Sequence, residues 1–182
     1  MLRRHLAGLA LLGAPAFLRS AQAQAPASRV VFELKDGPVT IELLRDVAPQ
    51  HVERITTLVT RGFYDGTPFH RVIEGFMAQG GDPTGTGTGG ARDLPDLPAE
   101  FTDKYRFLRG VCGMARSQNP NSANSQFFIM FAPAPSLDRQ YTIWGRVVAG
   151  MDAVDKIKRG DPGSNGLVRG PDRLLRARLA TA

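Results

Sequence analysis

One cysteine, Cys112, stands in 182 residues, so no disulfide can form within the chain even in an oxidising compartment. Gly110, Val111, Gly113 and Met114 surround it, a setting that reads as a packed core thiol rather than a nucleophile. Histidine is nearly as scarce. Beyond His5 there are only His51 and His70, with neither cysteines nor clustered carboxylates beside them, which argues against a zinc site. The chain has no Gly-x-Ser-x-Gly elbow and no dinucleotide fingerprint that opens a helix. Its glycine-rich run, Pro83 to Gly90, lacks the Lys-Ser or Lys-Thr that closes a phosphate loop, and no helical pattern follows, so it reads as a surface loop.

Long apolar runs are missing outside the first residues. Met1 to His5 is basic, Leu6 to Leu18 is apolar but short and carries Pro15, and Ala21-Gln22-Ala23 offers small residues for cleavage. This pattern predicts a secretory signal peptide over residues 1–23 rather than a membrane span. The mature chain, 24–182, is then a single exported domain, periplasmic or beyond, without stable membrane insertion. The Arg3-Arg4 pair admits a twin-arginine route. Charge of one sign is also lacking: without Arg3, Arg4 and Arg19 the 23 basic residues become 20 against 17 acidic, a net of +3. Those charges are spread along the chain, so nucleic acid is not an expected partner. No heptad pattern argues for an oligomer, and a monomer is expected.

What is present is mostly strand. Val30, Phe32 and Leu34 alternate, Lys35-Asp36-Gly37-Pro38 intervenes, and Val39, Ile41 and Leu43 alternate again, the pattern of a hairpin. A helix follows, opened by Pro49 and closed by Gly62, with Val52, Ile55, Thr56 and Val59 as its buried stripe and His51 off that stripe, read as solvated. From Pro68 to Asp82 the chain reads as a hairpin reversing at Glu74-Gly75. Within it Arg71 stands among Phe69, Val72, Ile73, Phe76 and Met77; residue type alone leaves open whether it faces solvent from an edge strand or serves a site. Further strands are expected from Phe101, over Val111 to Ala115, Gln126 to Phe131 and Tyr141 to Val148, and through Leu175, Ala177 and Leu179. Met151, Val154 and Ile157 mark a second helix. Many short strands with two helices and no βαβ rhythm predict a mainly antiparallel sheet, and a barrel capped by helices is the economical arrangement, although pattern alone leaves a sandwich open.

The segments PFHRVIEGFMAQGGD, GTGG, GVCGMAR, NSQFFI and LDRQYTIWGRVV occur in that order between Val30 and Leu179. Together they resemble the cyclophilins, peptidyl-prolyl cis-trans isomerases, and the compact exported bacterial members most. The resemblance implies a closed eight-stranded antiparallel barrel capped by two α-helices. It puts Arg71 on the family's catalytic arginine and Gln79 on the glutamine that binds substrate backbone. Phe76, Met77 and Phe128 fall on the proline pocket, Leu137 on a pocket leucine, and Ala115, Ser117 and Gln126 along the neighbouring peptide groove. Three positions depart from the eukaryotic pattern: Tyr141 stands for a histidine, Arg116 for an asparagine that binds through its backbone, and Ser136 for a tryptophan that helps grip cyclosporin.

The chemistry suits those residue types. An X-Pro amide prefers trans by only roughly 0.5 to 1 kcal/mol, yet its rotation barrier is about 18 to 20 kcal/mol because rotation breaks amide resonance. Twisting localises the lone pair on the proline nitrogen, which then accepts a hydrogen bond that the planar amide cannot. A permanently charged arginine is a fitting donor, and its preference for the twisted state lowers the barrier. An apolar pocket strengthens the bond. Neither nucleophile nor cofactor is needed. The expected partners are proline-containing segments of unfolded or newly exported proteins; a proline-peptide receptor without turnover is the alternative.

Overall fold

Strand alternation divides the apolar residues of this chain between two cores. The computed structural model describes residues 27–181, and the expected signal peptide and its cleavage site lie outside them. Eight strands, β1 (Arg29–Leu34), β2 (Gly37–Leu43), β3 (Arg71–Ile73), β4 (Met77–Gly80), β5 (Val111–Met114), β6 (Phe127–Met130), β7 (Ile143–Ala149) and β8 (Arg176–Ala180), join in one antiparallel sheet of order β3-β4-β6-β5-β7-β2-β1-β8. Side chains on successive strand residues point to opposite faces. Val30, Phe32, Ile41, Phe127, Ile129 and Trp144 therefore fill the inside of the curled sheet, while Met77, Phe128, Met130 and Ile143, joined by Phe107 and Leu44, form a second cluster on its outer face. Cys112 belongs to the inner core and is fully buried, and burial alone pushes its thiol far above the usual range.

The sheet curls without a continuous ladder between its end strands, β3 and β8. The chain from Val168 to Leu175 spans that gap: Val168 N–H donates to the His70 carbonyl (3.0 Å), Phe69 N–H to Asp172 (2.9 Å), Leu174 N–H to Thr67 (2.9 Å) and Leu175 N–H to Glu33 (2.9 Å). Closure of the expected barrel thus runs through irregular backbone. The Phe101 region forms no strand, and that ring is 43% exposed, because the segment from Asp93 onward crosses the surface and pairs only once, at Leu97 with Ala123.

Helix α1 (Pro49–Thr60) packs against β7 and β8, and α2 (Met151–Asp155) against β2. The buried side of α1 is wider than the expected stripe, and it includes Leu58, Arg54 and His51. His51 is fully buried rather than solvated, its Nδ1 lying 2.7 Å from Glu100 Oε2. The residue preceding α1, Ala48, offers no side-chain cap. Glu100 supplies one from a distant loop, accepting from the Gln50 N–H (3.1 Å) and the His51 N–H (3.0 Å). Among the described residues no helix is long and apolar enough to cross a membrane, and no group of three or more His, Cys, Asp or Glu side chains is placed to hold a metal ion.

Candidate active site

β3 and β4 form a tight hairpin in which Arg71 pairs with Gln79 across the strands. The reversal between them is closed by the Phe76 N–H donating to the Ile73 carbonyl (3.1 Å), with Gly75 at φ 67°, a conformation glycine adopts without strain. Val72 and Ala78 face the inner core, so alternation turns Arg71, Met77 and Gln79 to the opposite, outer face.

Arg71 is held by side chains and backbone alike. Its Nη1 donates to Gln79 Oε1 (3.2 Å), its Nε to the Asn165 carbonyl (3.1 Å) and its Nη2 to Asn165 Oδ1 (3.1 Å). Partial burial pushes its guanidinium down from the ordinary value, opposed by Tyr141, yet arginine remains a cation throughout the working range. Because Arg71 can only donate, Gln79 must present its oxygen and aim its amide NH2 onward. Gln79 Nε2 donates to Gln126 Oε1 (2.9 Å), and Gln126 Nε2 donates to the carbonyls of Gly87 and Gly89 (both 2.9 Å). The donor direction is uniform along this chain, which fixes both amide orientations.

The glycine-rich loop at the end of that chain is organised by Asp82, fully buried, whose carboxylate accepts from Thr84 N–H (2.8 Å), Thr84 Oγ1 (2.7 Å), Gly87 N–H (2.7 Å) and Gly89 N–H (3.1 Å). Burial works against the charge, but the bonds from Thr84, Gly89 and Gly87 outweigh it and hold the carboxyl below its ordinary value. The loop lies on the surface, with Pro83, Thr84, Thr86, Gly87 and Thr88 exposed, and its hydrogen bonds to Asp82 hold its shape beside the site.

Two adjoining cavities open on this face. The smaller, about 180 Å³, is lined by Arg71, Phe76, Met77, Gln79, Ala115, Arg116, Phe128, Leu137 and Tyr141. The larger, about 610 Å³, shares Gln79, Ala115 and Arg116 with it and adds Ser117, Gln126, Asn124 and the 87–92 stretch. The residues that the resemblance puts on the catalytic arginine, the proline pocket and the groove thus line one cavity or the other, and Ser136 lines neither. Phe128 forms the floor of the smaller, stacked on Phe107 (centroids 5.6 Å) and met edge-on by Tyr141 (5.7 Å). Room for that stack comes from Gly113, where a Cβ would lie 2.4 Å from Phe128 Cζ and 2.8 Å from Phe107 Cε1. The Arg116 guanidinium covers the Tyr141 ring at 4.4 Å and donates to the Gln140 carbonyl through Nε (3.1 Å) and Nη2 (2.8 Å), so it walls the boundary between the cavities.

Asn165, Gly113 and Phe107 were not legible as site residues in the sequence. The Asn165-Gly166 pair does signal a left-handed turn, but nothing in it points to Arg71.

An apolar pocket with a fixed arginine at its rim, beside a groove bordered by backbone and amides, defines a peptide-handling β-barrel. Over residues 29–179 the chain matches the family model described as cyclophilin type peptidyl-prolyl cis-trans isomerase/CLD. It is 53% identical over 173 residues to a probable peptidyl-prolyl cis-trans isomerase of Brucella suis, covering 89% of this chain and 87% of that one. It is 38% identical over 157 residues to peptidyl-prolyl cis-trans isomerase-like 1 of Gibberella zeae, covering 84% and 94%. Among solved structures it is similar to cyclophilin AquaCyp293 from Hirschia baltica (TM-score 0.74, 32% identity, 85% of this chain and 74% of that one). It is also similar to a Cryptosporidium parvum cyclophilin crystallised in the presence of the dipeptide Ala-Pro (TM-score 0.76, 29% identity, 85% and 99%). The chain belongs to the cyclophilins, the peptidyl-prolyl cis-trans isomerases of this fold.

Proposed function

We propose that this isomerase works on X-Pro bonds of unfolded, newly exported proteins, with Arg71 as the hydrogen-bond donor to the twisted prolyl nitrogen. The observation that carries the reading is the state of that guanidinium. It has five N–H donors; those on Nε, one on Nη1 and one on Nη2 are committed to Asn165 and Gln79, leaving one N–H on each Nη for substrate. The proline ring sits against Phe76, Met77, Phe128 and Leu137, which hold it while the preceding residue swings. Excluding water there strengthens the bond from Arg71, and only the twisted amide offers the lone pair that receives it. Gln79 holds the guanidinium and, with Gln126, Ala115, Arg116 and Ser117, borders the groove for the flanking backbone.

The decisive measurement is isomerisation of a short X-Pro peptide by the mature chain and by Arg71→Ala. The variant should lose on the order of 100-fold in kcat/KM, the scale of one transition-state donor, while still binding peptide. A folded Arg71→Ala that retains full turnover overturns the role of Arg71, and a wild type that binds without accelerating exchange makes the protein a receptor. Export is supported by the basic-apolar-small order of residues 1–23. Expression of the full chain should yield an envelope-fraction product beginning at Gln24; recovery in the cytoplasm with the first residues intact overturns it.

A further inference from the structure

We infer that Asn165 is a positioning residue for catalysis, setting the plane of the Arg71 guanidinium without neutralising its charge. The inference rests on the reading of Arg71 as the catalytic donor. Asn165 follows the turn Pro162–Ser164, whose leading Asp161 accepts from the Gly163 N–H (3.0 Å) and from Ser164 Oγ (2.8 Å). That turn delivers Asn165 in the left-handed conformation, φ 53°, which asparagine tolerates better than most residues.

The turn is fastened to β3 itself. Val72 N–H donates to the Gly166 carbonyl and Gly160 N–H donates to the Val72 carbonyl, both at 2.8 Å. A Cβ on Gly166 would lie 2.5 Å from Ile73 Cγ1, so the backbone approach demands glycine there. Asn165 is therefore held against the residue next to Arg71, and its carbonyl and Oδ1 take the Nε and Nη2 edge of the guanidinium at 3.1 Å each.

That edge is the one a carboxylate would grip in a two-pronged ion pair. Asn165 reproduces the two-pronged geometry with neutral oxygens, and Arg71 has no carboxylate partner in any ion pair among the described residues. The cation thus keeps its full strength for the remaining Nη donors, while its plane is fixed from both sides by Asn165 and Gln79.

The test uses the mature chain with Asn165→Gly, which accepts the left-handed backbone and keeps the carbonyl acceptor but removes Oδ1, and with Asn165→Asp, which keeps the geometry and adds a charge. Both should lower kcat by about 10-fold, the scale of one hydrogen bond to a charged group, with KM for an Ala-Pro peptide little changed. The Arg71 Nη2–H resonance, whose acceptor is Asn165 Oδ1, should exchange faster in Asn165→Gly than in the wild type. A residue acting through Arg71 should also have no further effect in the Arg71→Ala background. Full kcat in a folded Asn165→Gly, or an equal loss from it in both backgrounds, overturns the inference. Full activity in Arg71→Ala alone overturns the underlying reading instead, so the two failures are distinguishable.

Discussion

Gly113 decides the shape of the pocket floor although it touches no substrate. Alanine there would drive a methyl into Phe128 and Phe107, the two stacked rings beneath the smaller cavity. Forcing extra volume into a packed site costs about 1 to 3 kcal/mol. Gly113→Ala should therefore lower stability by that amount in urea unfolding and lower kcat/KM by more than the stability loss explains, because the displaced ring is the pocket floor. Arg116 acts more gently. Removing its guanidinium from the Tyr141 ring forfeits about 0.5 to 1 kcal/mol of cation–π attraction at an exposed site. Arg116→Ala should raise KM in the peptide assay and leave kcat near that of the wild type.

Helix α1 shows how an element can depend on a partner far along the chain. Pro49 suits its first turn, yet the preceding Ala48 cannot cap it, and the orphan N–H groups of Gln50 and His51 are satisfied by Glu100. Glu100→Ala should destabilise the protein by about 1 to 2 kcal/mol, the range of a lost cap, measured by urea unfolding at neutral pH. The loss should fall at the upper end, because His51 would be left buried without its Glu100 partner. The short hairpin of β3 and β4 is the opposite case: its register is fixed locally by the Gly75 turn, and that register alone brings Arg71 and Gln79 opposite each other.

Across the whole molecule, His51 and His70 are both buried, and burial lowers the affinity of each for a proton below the ordinary 6.5. For His51 the loss is partly offset by Glu100, and for His70 by Asp82. Between the lowered folded value and 6.5 the unfolded chain holds more protons than the folded one, so acid draws the equilibrium toward unfolding. Above 6.5 both states carry neutral imidazoles and this contribution is flat. The urea midpoint should therefore be level near neutrality and fall as pH drops below that value, and His70→Gln should reduce the slope. Asp82 adds a further loss as pH falls from its ordinary 3.8 toward its lowered folded value, because over that range the unfolded carboxyl takes up a proton that the folded one, held by four hydrogen bonds, does not. A midpoint unchanged between neutral and mildly acid pH would contradict the histidine argument.

Local and periodic features were legible from the sequence alone: the two-residue alternation of β1 and β2, the reversals at Asp36-Gly37 and Glu74-Gly75, the start of α1 at Pro49 and the apolar setting of Cys112. Each is set by the stiffness and period of a few consecutive residues, and the motif order from Val30 to Leu179 identified the family. Tertiary structure decided what depends on distant partners. His51 is buried because Glu100 folds over the start of α1, the end strands are joined by the Val168–Leu175 chain, and Arg71 is gripped by Asn165 from a turn that packs on β3. Those pairings join residues tens of positions apart through contacts of one or two atoms, which leave no period in the sequence to read.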